Sequence, residues 1–125
     1  MVEDANDVFG RLPPAPGIAW LIAGAQRLPH NWFGQQLAQL VRRLVLAASR
    51  LPIDATSDGV RMRFFIRDNN SEKKFLFMPW RFDRLEREWI ARELPRDGVF
   101  VDIGANVGIY SLSACKNLGA RCRLL

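Results

Sequence analysis

With 125 residues, 49% of them hydrophobic and 25% charged, the chain has the length and composition of one small globular domain, which argues against disorder throughout. Eighteen Lys and Arg against thirteen Asp and Glu leave a net charge of +5. The arginines are scattered and belong to no helix-turn-helix, zinc or RNA-binding motif, so a solvated basic surface is expected and a nucleic-acid partner is not. No run approaches the roughly 18 apolar residues of a membrane-spanning helix. Glu3, Asp4 and Asp7 also spoil the basic start of a secretory leader ahead of the apolar run 18–25, so a cytoplasmic protein without a membrane span is expected.

The first 17 residues are acidic and then rich in proline (Pro13, Pro14, Pro16), which reads as a flexible or extended lead-in. Residues 18–28 suit a short apolar helix that Pro29 and Asn31 end, and Trp32 and Phe33 after it suggest an aromatic docking patch. Over 34–51, Leu37, Leu40, Val41, Leu44, Ala48 and Leu51 share one helical face, and packing of that face on the domain's own sheet is expected in preference to a basic membrane-surface or partner-binding helix.

Residues 52–59 form a polar break and the best boundary between a helical lead, 1–58, and an α/β part, 59–125. After it, Val60, Met62, Phe64 and Ile66 alternate with Arg61, Arg63, Phe65 and Arg67. Turn residues 68–72 and a second apolar run, 73–78, complete an expected hairpin. Asp83, with Glu86 three positions on, suits the start of a helix whose buried stripe is Leu85, Trp89, Ile90 and Leu94. Its acidic residues Glu86, Glu88 and Glu93 stand among Arg84, Arg87 and Arg92, where local ion pairing is expected rather than a catalytic carboxylate pair.

Residues 99–113 carry the chemistry. Val99, Phe100, Val101 and Ile103 read as a buried strand with Asp102 near its end, Gly104 and Gly108 bracket a tight turn, and Val107, Tyr110, Leu112, Ala114, Cys115 and Leu118 recur at helical spacing. A strand, glycine turn and helix in that order suit a nucleotide-like ligand, because glycine lets backbone approach closely and a helix start has unpaired N–H donors. The dinucleotide fingerprint G-x-G-x-x-G fails, since Asn106 and Ile109 stand where its later glycines belong, so a hydride-transfer cofactor is disfavoured. The spacing is instead D-x-G-x-x-x-G.

That spacing resembles the first motif of S-adenosylmethionine-dependent methyltransferases. The phrase Phe100-Val101-Asp102-Ile103-Gly104-Ala105-Asn106-Val107-Gly108-Ile109-Tyr110-Ser111-Leu112 is similar to that of the FkbM-type family, in which Asn commonly replaces the middle glycine. The resemblance extends from about residue 60 onward and covers 1–58 only weakly. It implies an α/β, Rossmann-like methyltransferase fold of which the first strand-turn-helix unit is visible, preceded by helices and a β-hairpin. It also implies S-adenosylmethionine as cofactor and O-methylation of a small molecule or glycan.

In that setting Asp102 would supply polarity, through the cofactor's amino acid end or an ordered water, Gly104 and Ala105 would let the cofactor lie close, Asn106 would offer an amide, and Gly108 would let the helix pack on the turn. Tyr110 is expected in the core rather than lining the pocket. Gly119 suits a helix C-cap, and 120–125 would begin the second strand. No Asp or Glu follows Asp102, so the acidic partner for ribose hydroxyls, which belongs about 20 residues past the turn, is missing. The expectation is therefore an amino-terminal part of a methyltransferase domain without turnover of its own. The alternative is a truncated, non-catalytic remnant or interaction module. Cys115 and Cys122 have no cluster around them and are expected as reduced thiols, and the one histidine, His30, as a structural or surface residue.

Overall fold

A computed structural model describes residues 8–119, which form a mixed α/β chain of five helices and one two-stranded antiparallel hairpin. The described residues divide into two compact units at the Phe82–Asp83 junction.

In the first unit, α1 (Pro16–Gln26) starts with Pro in its first turn, where the missing N–H costs nothing, and buries Ile22 and Ala25. Helix α2 (Trp32–Ala48) is capped by Asn31, whose side chain accepts from Gly34 N at 2.9 Å. A Cβ on Gly34 would lie 1.9 Å from the Pro29 carbonyl oxygen, so only glycine lets the chain turn this tightly between the helices. The buried face of α2 is made of small residues: Gly34, Ala38 and Val45. The expected packing face points the other way, with Leu37, Leu40 and Leu44 all exposed. Glycine and alanine allow close helix contact, and the leucines on the opposite side are left to solvent.

The polar break expected at 52–59 contains a strand. Strand β1 (Ile53–Ser57) pairs antiparallel with β2 (Val60–Phe64), Ile53 opposite Phe64 and Ser57 opposite Val60. Asp58 (φ 47°) and Gly59 (φ 74°) make the two-residue turn, whose positive φ at both positions matches the right-handed twist of paired strands. The alternation of Val60, Met62, Phe64 and Ile66 is realised as expected, each being buried.

The run 73–78 is not its strand partner. It lies almost wholly in helix α3 (Asn70–Phe77), started by Asn69, whose side chain accepts from Ser71 N and Glu72 N at 2.9 and 3.2 Å. Phe75, Leu76 and Phe77 of α3 join Phe64 and Ile66 in the core of this unit. Each such side chain contributes roughly 2–3 kcal/mol of burial. Phe75 meets Phe82 edge-on with ring centroids 5.7 Å apart.

Residues 8–14 are held in place rather than flexible. Asp54 is buried in β1, and its Oδ2 accepts from Gly10 N at 2.7 Å and Leu12 N at 3.0 Å. Its Oδ1 accepts from Arg63 Nε across the hairpin at 2.7 Å, and Asp54 N donates to the Leu12 carbonyl. Expectations on 1–7, 120–125 and Cys122 lie outside the described residues.

In the second unit, α4 (Arg84–Glu93) and α5 (Ile109–Leu118) pack together. Half of the apolar stripe expected on α4 is turned outward: Leu85 and Trp89 are exposed, Ile90 and Leu94 are half-buried, and the buried residue of the helix is Arg87. Arg84 and Glu88 pair at 2.5 Å and Arg92 and Glu93 at 2.9 Å, as the charge pattern suggests. These pairs are exposed and contribute little.

Candidate functional site

Residues 99–102 enter the site without regular secondary structure, and Ile103 already lies in the turn. No strand lies beside them among the described residues, and Val99, Val101 and Ile103 are 87, 72 and 93% exposed. The strand expected here is not formed, because extended backbone becomes a strand only when neighbours take its N–H and C=O groups.

The turn itself is well defined. Gly104 (φ 74°), Asn106 (φ 53°) and Gly108 (φ 76°) all lie in the left-handed region, alternating along five residues. Glycine occupies that region at no steric cost, and asparagine is among the few other residues that enter it readily. The Asn106 that breaks the dinucleotide fingerprint is thus a residue suited to its backbone. Gly108 N donates to Ala105 O at 2.8 Å to close the turn, and Leu112 N donates to Gly108 O at 2.9 Å as α5 begins. Gly108 is the N-cap of α5 and has no side chain to cap it.

A Cβ added to Gly104 or Gly108 meets nothing within 4 Å. The expected tight packing of helix on turn at Gly108 is therefore corrected: glycine is required there by φ, and the space beside it is open. The same open space at Gly104 leaves backbone accessible to a ligand.

Asp102 is half-buried just before the turn, and its Oδ2 accepts from Ser111 Oγ in the first turn of α5 at 2.8 Å. Ser111 was not anticipated as part of the site. Its position nine residues after Asp102, one helical turn past the glycines, is the signal that it carries. Asp102, Gly104, Ala105, Asn106 and Gly108 are thus brought together on one loop and helix start, with Ser111 added.

Tyr110 takes a different role from the one expected. It is half-buried, and its hydroxyl donates to Asp83 Oδ2 at 2.7 Å. Burial, followed by the hydrogen bond to and charge of Asp83, pushes the phenol up to about 12. Asp83 stands at the N-cap position of α4 with φ 41° but caps nothing, since its carboxylate serves Tyr110 instead. Further along α5, Cys115 is disulfide-bonded, so the expectation of a reduced thiol is corrected at this residue. His30 stacks on Trp80, ring centroids 4.7 Å apart, consistent with the structural role expected of it.

Among the described residues no group of three or more His, Cys, Asp or Glu is placed to hold a metal ion. No described helix is long and apolar enough to cross a membrane. No family model, curated protein or solved structure matches the chain.

Proposed function

We propose that residues 99–113 form one wall of an S-adenosylmethionine site in a Rossmann-like methyltransferase of FkbM type, acting by O-methylation on a small molecule or glycan. The observation that carries the reading is the alternation of left-handed backbone at Gly104, Asn106 and Gly108, directly after an acidic residue and directly before a helix. The open space over both glycines supports it, since a ligand lying on the turn meets backbone and no side chain there.

The residues fit the cofactor's polar groups. The Asp102 carboxylate suits its ammonium end, and Ser111 holds that carboxylate in one orientation. The open space beside Gly104 leaves its backbone open to a ligand, and the Asn106 side chain carries both a donor and an acceptor. When bound, the cofactor supplies an electrophilic methyl group for displacement by an oxygen nucleophile. This wall contributes binding and orientation, which is the chief requirement of such a transfer. None of the residues assigned to the wall is given the role of a base.

Calorimetric titration with S-adenosylmethionine tests the reading. Binding that Asp102→Ala weakens by about tenfold or more is expected, the scale of a lost hydrogen-bonded charge contact. Absence of binding, or equal binding by the variant, would overturn it.

The exposure of Val99, Val101 and Ile103 favours a second reading, a non-catalytic interaction module in which these residues pair with another chain. A concentration-dependent dimer or complex without any binding of S-adenosylmethionine would select that reading.

A further inference from the structure

The outward face of α2 is apolar along its length. Phe33, Leu37, Leu40 and Leu44 follow one another at helical spacing, and each is exposed, Phe33 at 64% and Leu40 and Leu44 at about half. Trp32 at the start of the helix and Trp20 on α1 are 73 and 75% exposed. These are large side chains left in water although the small-residue face of the same helix is fully used.

Charge identifies what such a surface suits. From residue 8 to residue 53 the sequence contains Arg11, Arg27, Arg42, Arg43 and Arg50 and not one Asp or Glu. Arg11, Arg27, Arg43 and Arg50 are exposed. An apolar helical face with Trp and Phe at one end, in a stretch whose only charges are arginines, matches a helix lying in a lipid interface, where aromatic rings sit at headgroup level and arginine meets anionic headgroups. A second copy of the chain is a poorer occupant, because face-to-face pairing would bring like charges together.

We propose that the α1–α2 hairpin is a docking surface for anionic lipid bilayers, with Phe33, Leu37, Leu40 and Leu44 entering the interface and the arginines holding the headgroups. The protein is thereby a peripheral membrane binder. This inference rests on the first unit alone and is independent of the cofactor reading.

Co-sedimentation with vesicles tests it, one set of phosphatidylcholine alone and one of phosphatidylcholine and phosphatidylglycerol in equal parts. Binding to the anionic vesicles at least about tenfold tighter than to the neutral ones is expected, falling as salt is raised. Leu40→Glu with Leu44→Glu abolishes that binding while leaving helical circular dichroism unchanged, both side chains being exposed already. Arg43→Gln with Arg50→Gln keeps the apolar face and lowers anionic-vesicle binding by about tenfold. Equal binding to both vesicle types would overturn the proposal, as would no binding to either. Self-association that the double glutamate variant dissolves, without vesicle binding, would assign the face to a second copy instead.

Discussion

Ser111 Oγ donates to Oδ2 of Asp102 at 2.8 Å, tying the residue before the glycine turn to the first turn of the helix after it. The bond spans the candidate site and fixes the direction of its one carboxylate. Ser111→Ala frees that carboxylate without touching the turn's backbone. The expected result is S-adenosylmethionine affinity reduced severalfold, less than for Asp102→Ala, with helicity by circular dichroism unchanged.

Asp54 and Arg63 anchor a polar cluster in the first unit. The Arg63 guanidinium, opposed by burial and helped by the N–H groups of Leu12 and Gly10, holds the Asp54 carboxyl at about 2, below its ordinary 3.8. A lowered carboxyl contributes stability that is in place above the ordinary value and is lost as pH falls through the folded one. Acid unfolding is expected to acquire an extra component between about pH 4 and pH 2 that Asp54→Asn removes. The same variant leaves Arg63 without its carboxylate and destabilises at neutral pH by roughly 3 kcal/mol in urea denaturation.

Glu72 has the opposite sign. It is buried in α3, its Oε1 accepts from Phe65 N at 3.2 Å, and its Oε2 meets no hydrogen-bond partner. Burial raises its carboxyl above the ordinary 4.5, against the opposing pull of the Phe65 N–H. A raised carboxyl supports the fold below the ordinary value and withdraws that support as pH rises through the folded one. Glu72→Gln keeps the acceptor for Phe65 and removes the buried charge, so a gain of about 1 kcal/mol at pH 7 is expected in chemical denaturation, vanishing in acid.

Tyr110 is the one tyrosine of the chain, so ultraviolet titration reads its phenol alone. A midpoint of about 12 is expected. Asp83→Asn removes the charge behind the hydrogen bond but leaves the burial, which is the larger cause, so the midpoint falls part of the way towards 10.

Gly34→Ala would place a Cβ 1.9 Å from the Pro29 carbonyl oxygen. Alanine favours helix in the abstract, yet here it forces the inter-helix turn to open. A loss of about 2 kcal/mol or more in thermal or chemical denaturation is expected.

How far the sequence foretells this structure depends on the kind of signal. Helix positions are legible where caps and proline mark them: Pro29 and Asn31 between α1 and α2, and Gly119 after α5. The hairpin is hard to place from sequence because β1, Ile-Asp-Ala-Thr-Ser, looks polar, although Asp58-Gly59 is a strong two-residue turn signal. The apolar run 73–78 suggests a strand, although Asn69 with Glu72 three positions on has the spacing of a helix start.

The buried face of α2 is the inverse of the one its periodicity suggests. Periodicity locates an apolar stripe but cannot say whether large or small residues will make the contact, and in α2 Gly34, Ala38 and Val45 made it. Gly104, Asn106 and Gly108 are legible as a turn because their identities suit left-handed backbone. The strand before them was not realised, since pairing depends on other segments. Ser111 is marked only by its place in the first turn of the helix after Asp102, a weaker signal than periodicity or positive φ.

The most direct test of the cofactor wall is amide mapping by 15N nuclear magnetic resonance during titration with S-adenosylmethionine. Shift changes concentrated at Asp102, Gly104, Ala105, Asn106, Gly108 and Ser111, and abolished in Asp102→Ala, are expected. Amides of 102–111 that stay unmoved at saturating ligand, or shifts confined to residues 8–82, would contradict it.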